Sequence, residues 1–176
     1  MEFKEASKNH IKEIKALYTT AFPKIERKPF WLMMLNHKRG RMKILYIEDS
    51  NEFAGLAVMA EYDDRALLLY FAINPSKRDR GYGSMALQML MKRYENKKFY
   101  LEIESTKKEC EDIETRLRRK SFYNKNGMYE IGLNVDLFGT EMEVLSNGAV
   151  LDYDEYIKPY EKNFGRWIRR KIREVK

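Results

Sequence analysis

The chain predicts an α/β (α+β) fold, with one mixed, mostly antiparallel central sheet and helices on both faces. Three observations point there. Apolar runs at Met42–Ile47, Phe53–Tyr62 and Leu67–Ile73 are separated only by the turn formers Asp49-Ser50-Asn51 and Asp63-Asp64, which makes them an antiparallel meander. The third run is followed by an amphipathic segment, Ser84–Tyr94, and by a further run, Phe99–Ile103, and a strand–helix–strand step joins parallel neighbours. At 176 residues, 44% hydrophobic and 13% aromatic, without repeats or a linker-like tract, the chain has the material for one core.

Taken in order, Met1–Glu5 reads as a first strand. Ile11, Ile14, Leu17, Tyr18 and Phe22 then recur every three or four residues behind Ser7, the expected N-cap, so a helix is predicted over residues 8–21 and ended by Pro23. Phe30–Leu35 is a second short helix, closed by Arg39-Gly40. After the meander, Tyr82, Met85, Ala86, Met89, Leu90 and Tyr94 form the apolar stripe of the next helix. Glu109–Lys125 is a charged helix ended at Gly127, and Met128–Val135 with Thr140–Leu145 is a closing hairpin. Residues 1–150 are thus the core of a single domain spanning 1–176, and residues 151–176 a basic amphipathic helical extension. Its stripe of Phe164, Trp167, Ile168, Ile172 and Val175, opposite Arg166, Arg169, Arg170 and Arg173, is expected to pack on the domain beneath snorkelling arginines.

Charge and rare residues exclude several classes. The formal net charge is +7, but residues 162–176 hold seven Lys or Arg against Glu174 alone, so the rest of the chain is nearly neutral and nucleic acid is an unlikely partner of the body. Cys110 is the single cysteine, which rules out an intrachain disulfide and a cysteine-rich zinc site. His10 and His37 fall on or near separate helices, are read as surface residues, and make no metal spacing. No run of about 18 apolar residues occurs, so no membrane span is expected, and a cytoplasmic protein is the default.

The chemistry concentrates in Arg78-Asp79-Arg80-Gly81-Tyr82-Gly83-Ser84, between a predicted strand and the start of a predicted helix. Unpaired N–H groups and the macrodipole at such a start favour an anion, the glycines let the main chain approach it, and Arg78 and Arg80 add charge at the rim. The expected ligand is a nucleotide-like polyanion. Gly81-Tyr82-Gly83-Ser84-Met85-Ala86 also fits a dinucleotide fingerprint, with Glu102 placed like a ribose-binding acid. The context argues against that reading, because Asn74–Arg80 separates the glycines from their strand and the upstream meander supplies no βαβαβ half. No Walker lysine follows, so a P-loop is excluded.

With Asn74-Pro75 before it, Arg78-x-x-Gly81-x-Gly83-Ser84 resembles the acetyl-CoA-binding signature of the GNAT acetyltransferase superfamily, Q/R-x-x-G-x-G/A. Phe122-Tyr123-Asn124-Lys125-Asn126-Gly127-Met128 is similar to that family's F-Y-x-x-x-G-F segment, with Met128 in place of Phe. The order of elements from Met1 to Leu145 also matches. The resemblance implies a sheet splayed between its fourth and fifth strands, and direct ternary-complex transfer of an acetyl group from acetyl-CoA to an amine, without a metal. It implies a pyrophosphate on the amides of Arg80, Gly81, Tyr82, Gly83 and Ser84 beside Arg78 and Asp79, and pantetheine on the main chain of Phe71, Ala72 and Ile73. Tyr123 would protonate the departing thiolate and contact CoA.

An amine must also lose a proton, and Glu102 and Glu104 project to one face of their strand, which is costly there unless they line a cleft. One or both are therefore candidates for base or acceptor binding. Leu69 and Tyr70 on the third meander strand offer no acid, and Arg116 stands where many members carry Asn. Phe22-Pro23, Glu26-Arg27 and Phe30-Trp31 fall in the region that forms part of the acceptor wall in this family. The acceptor itself stays open, as does a homodimer. The competing reading is an acyl-CoA sensor whose basic tail touches nucleic acid.

Overall fold

The computed structural model describes residues 1–24 and 26–175; Ile25 and Lys176 lie outside the described residues. Strands β1 (Glu2–Glu5), β2 (Met42–Asp49), β3 (Glu52–Tyr62), β4 (Arg65–Ile73), β5 (Lys98–Glu104), β6 (Tyr129–Leu137), β7 (Thr140–Ser146) and β8 (Ile172–Val175) are hydrogen-bonded in the order β1-β2-β3-β4-β5-β7-β6-β8. The sheet is mostly antiparallel, and β4 with β5 is its parallel pair, as the strand–helix–strand pattern requires. The helices are α1 (Ile11–Ala21), α2 (Phe30–Lys38), α3 (Tyr82–Arg93), α4 (Ile113–Lys125), α5 (Tyr153–Tyr156) and α6 (Lys158–Phe164). By its contacts the chain divides into two compact units, Met1–Glu61 with Leu68–Met89, and Tyr62–Leu67 with Leu90–Lys176.

In the first unit, β2 pairs antiparallel with β1 and β3. Ala54–Ala60 of β3 is buried without a break, the pattern of a strand covered on both faces. Ile47, Ala54, Ile73 and Ala86 form a core against which Phe3, Phe71 and Tyr82 pack, and each fully buried large apolar side chain contributes about 2 kcal/mol. Ala86 thereby fixes the first turns of α3 to the strands. Ser7 does not cap α1. Its carbonyl accepts from the His10 N–H at 3.0 Å in a turn that precedes the helix, and no side chain caps Ile11. The histidines are half-buried rather than superficial: His10 stacks on Tyr46 at 4.1 Å, and His37 Nε2 lies 3.1 Å from the Ala6 carbonyl.

In the second unit, β7 lies between β5 and β6 and is antiparallel to both. The expected C-terminal amphipathic helix is not formed. Helix α6 stops at Gly165 (φ +87°), a 3-10 turn covers Arg166–Arg170, and Ile172–Val175 extends as β8, antiparallel to β6. The helical stripe misled because Ile168 and Ile172, four residues apart, are indeed both buried, but one is in a turn and the other in a strand. Part of the tail does pack on its own unit, as anticipated.

Candidate active site

The glycine stretch has the shape its composition implies. Asn74 anchors it by donating its N–H to the Ala54 carbonyl (2.8 Å) and its Nδ2 to the Phe53 carbonyl (3.2 Å), while its Oδ1 accepts from the Ser76 N–H (3.2 Å) at the start of a 3-10 turn, Pro75–Lys77. Arg78 Nε donates to the Ile73 carbonyl at 3.2 Å, tying the rim to the end of β4. Asp79 (φ +59°) and Gly81 (φ +78°) take left-handed backbone and turn the chain into α3, and a Cβ at Gly81 would meet open space. The first ladder bond of α3 runs from the Met85 N–H to the Gly81 carbonyl (3.0 Å), so the N–H groups of Tyr82, Gly83 and Ser84 precede the ladder. Arg78, Asp79, Arg80 and Gly81 are exposed. An anion therefore meets a helix start, two guanidinium groups and no obstructing side chain at Gly81, which fits a pyrophosphate.

Behind this cradle the strands come unusually close. A Cβ added to Gly55 of β3 would overlap the Ala72 carbonyl oxygen and lie 3.2 Å from Ile73 Cα, so only glycine lets β4 carry Phe71–Ile73 past this point. The Tyr82 hydroxyl donates to Asp49 Oδ2 (2.8 Å), and this hydrogen bond to a carboxylate holds the phenol above its ordinary range. Tyr82 thus braces the helix start, leaving its main chain for a ligand.

Tyr70, passed over for want of an acid on β4, organises the segment before α2. Its hydroxyl donates to the Glu26 carbonyl (2.8 Å) and accepts from the Lys28 N–H (3.1 Å), and Tyr18 donates to the Lys28 carbonyl (2.9 Å). The rings of Phe22 and Tyr18 each lie 4.9 Å from that of Tyr70. This aromatic group fixes Glu26-Arg27, two of the residues assigned to the acceptor wall, and leaves Trp31 69% exposed.

The second unit holds the predicted proton-handling residues, and it separates the two carboxylates of β5. Glu104, 9% exposed, pairs with Arg119 of α4. Tyr123 stands one helical turn beyond Arg119. Burial pushes its phenol up to about 12, with Arg119 opposing and Glu104 reinforcing that rise. Glu104, Arg119 and Tyr123 therefore form one electrostatic group whose phenol keeps its proton at neutral pH. Glu102 instead accepts from Tyr156 (2.5 Å to Oε1) and from Tyr160 (3.0 Å to Oε1 and 2.8 Å to Oε2), both fully buried. Burial, with the Glu102 charge second, raises Tyr156 well above the ordinary tyrosine range.

Tyr156 and Tyr160 lie past the stretch that resembles the family, yet the spacing Tyr153, Tyr156, Tyr160, Phe164 is a readable aromatic stripe. Lys120 and Glu143 carried no such signal. Glu143 of β7 is completely buried, accepts from the Thr106 N–H (2.6 Å) and Oγ1 (2.8 Å), and pairs with Lys120 of α4, which also bonds Glu130 at 3.0 Å. These bonds pin the β5–α4 connection and, with it, the helix that carries Arg119 and Tyr123. Arg116, in place of the family's Asn, is engaged by Asp112 (3.0 Å) and by the Ser105 carbonyl (3.2 Å). Cys110 is half-buried beside Asp112, whose hydrogen bond raises the thiol above its ordinary range and leaves it a poor nucleophile. Among the described residues, no cluster of His, Cys, Asp or Glu is arranged to hold a metal, and no helix is long and apolar enough to cross a membrane.

Residues 11–127 match the family model described as the acetyltransferase (GNAT) family. No curated protein matches the chain. Among solved structures, the chain is similar to a protein from Bacteroides thetaiotaomicron described as an acetyltransferase from the GNAT family, with 21% identity over 91% of this chain and 93% of that one and a TM-score of 0.74. It also resembles the ribosomal-protein-S18-alanine N-acetyltransferase from Escherichia coli (13% identity, 86% and 95% covered, TM-score 0.64). A third likeness is to an aminoglycoside 6'-N-acetyltransferase complexed with coenzyme A (14% identity, 86% and 100% covered, TM-score 0.63). The signature cradle, the Tyr123 segment, the sheet order and the family match agree, and the chain belongs to the GNAT family of N-acetyltransferases.

Proposed function

We propose that the protein transfers an acetyl group from acetyl-CoA directly to a primary amine. The observation that carries this reading is the turn from Arg78 to Ser84, which feeds exposed arginines and pre-ladder N–H groups into the start of α3. In this reading the amides of Arg80–Ser84 and the Arg78 guanidinium hold the CoA pyrophosphate, and main-chain groups of Phe71, Ala72 and Ile73 hold the pantetheine and polarise the acyl carbonyl. Acetyl-CoA, when bound, supplies an acyl group already activated as a thioester.

The remaining work falls to side chains. Tyr123, protonated with a pKa near 12, is the proton donor for the sulfur as the amine displaces it. Glu104 and Glu102 are the carboxylates available to take the proton that the attacking amine releases. Glu104 is assigned the larger share, because it shares Arg119 with Tyr123, while both oxygens of Glu102 already accept phenol hydrogens. The relatives' printed acceptors, a ribosomal protein and an aminoglycoside, support an amine and leave its identity open.

The test is continuous CoA release from acetyl-CoA with a panel of amines, comparing wild type with Tyr123→Phe. The variant is expected to lower turnover about 100-fold while sparing acetyl-CoA affinity, the scale of one general acid. Unchanged turnover would remove Tyr123 from the chemistry, and binding without CoA release for any amine would favour an acyl-CoA sensor.

A further inference from the structure

We propose that the C-terminal segment of the second unit, together with the β6–β7 turn, is a binding surface for single-stranded nucleic acid. The tail does two things at once. Ile168 and Ile172 are buried at 1% and 0% exposure, while Lys162, Arg166, Arg170, Lys171 and Arg173 are exposed and make no ion pair among the described residues. Arg169 is the exception, held by Glu161 and Asp154 at 2.7 Å each. Asp136 accepts from the Gly139 N–H at 2.8 Å and faces Arg173 in register, and Arg173 also donates from Nη2 to the Arg170 carbonyl at 3.4 Å.

Two aromatic rings stand among these cations. Trp167 is 55% exposed, and its Cδ1 lies 3.3 Å from where a Cβ on Gly165 would be, so the indole sits beside this glycine while more than half of it meets solvent. Phe138 is 53% exposed at the tip of the β6–β7 turn, and its N–H donates to the Lys171 carbonyl at 2.9 Å, which sets it beside the same segment. Its backbone is strained: Phe138 and Gly139 form a two-residue turn with φ +55° and +92°, a conformation that disfavours a bulky residue at the first position. A large apolar ring kept at such a position and shown to solvent contributes nothing to the turn itself.

Exposed cations without ion pairs, interleaved with exposed rings, match a polymer with a phosphate backbone and unstacked bases. A membrane is disfavoured because Ile168 and Ile172 are buried, which leaves only Trp167 and Phe138 to insert in place of a continuous apolar face. An acidic protein would use the cations and leave the rings idle.

The test is fluorescence anisotropy of a labelled oligouridylate with the full chain, in parallel with polyglutamate and phosphatidylserine vesicles. Binding is expected to favour the oligonucleotide over its duplex, with a log–log salt slope of about −3, the counterion release of four to five phosphate contacts. Trp167→Ala is expected to weaken binding about tenfold. Phe138→Gly is the sharper variant: glycine relieves the turn, so the melting midpoint holds or rises while affinity falls about tenfold. Replacing Arg170 and Arg173 together by Gln should reduce the salt slope. Equal affinity for polyglutamate, preference for the vesicles, or undiminished oligonucleotide binding by both aromatic variants would overturn the proposal.

Discussion

The proposed cradle and the proposed proton-handling group are built on opposite principles. The first is made of backbone within one short stretch, where Asn74, Asp79 and Gly81 shape the turn and the side chains mostly brace or flank it. The second is made of side chains gathered from β5, α4, β7 and the segment after β7, among them Glu102 with Tyr156 and Tyr160, and Glu143 with Lys120. A site of main-chain donors tolerates many neighbours but depends on close approach. A site of paired charges and phenols depends on partners far off in sequence, and each loss strands another group.

The comparison can be broken first at its most buried charge. Lys120→Met leaves Glu143 fully buried without its cation, and should lower unfolding free energy in urea by about 3–5 kcal/mol. A loss below about 1 kcal/mol would mean that the Thr106 donors alone suffice. Next is the close approach behind the cradle. Gly55→Ala is expected to cost about 1–3 kcal/mol and to weaken acetyl-CoA binding, because the obstacle is the Ala72 carbonyl rather than a movable side chain. Unchanged stability would show that β4 can shift.

The smallest effect is titration. Unfolded tyrosines ionise near pH 10, whereas burial keeps Tyr100 and Tyr156 protonated in the fold. Their contribution is therefore fully present below about pH 10 and is lost as the pH climbs above that value toward the folded pKa values. Chemical denaturation between pH 8 and pH 11 should show this decline, and Tyr156→Phe should flatten it.

This contrast also explains what the sequence disclosed. The meander, the parallel step and the glycine turn rest on local pattern, and they appear within a few residues of where they were expected: α3 starts at Tyr82 rather than Ser84, and β4 at Arg65 rather than Leu67. The proposed role of Tyr123 rests on its flanking motif. The partners of Glu102 were missed because reading by motif stopped before Tyr156, and the pairing of Lys120 with Glu143 has no local signature. The tail failed for a different reason. Residues four apart can both be buried in a helix or in a turn followed by a strand, and Gly165, the helix breaker, was the signal that should have decided it.

The central claim is that the turn at Gly81 is a CoA pyrophosphate site. Isothermal titration of the protein with acetyl-CoA tests it most directly. The account predicts saturable, stoichiometric binding that weakens when Arg78 becomes Gln and disappears in Gly83→Trp with the fold intact. Absence of heat at high micromolar protein, or binding that survives Gly83→Trp, would contradict it.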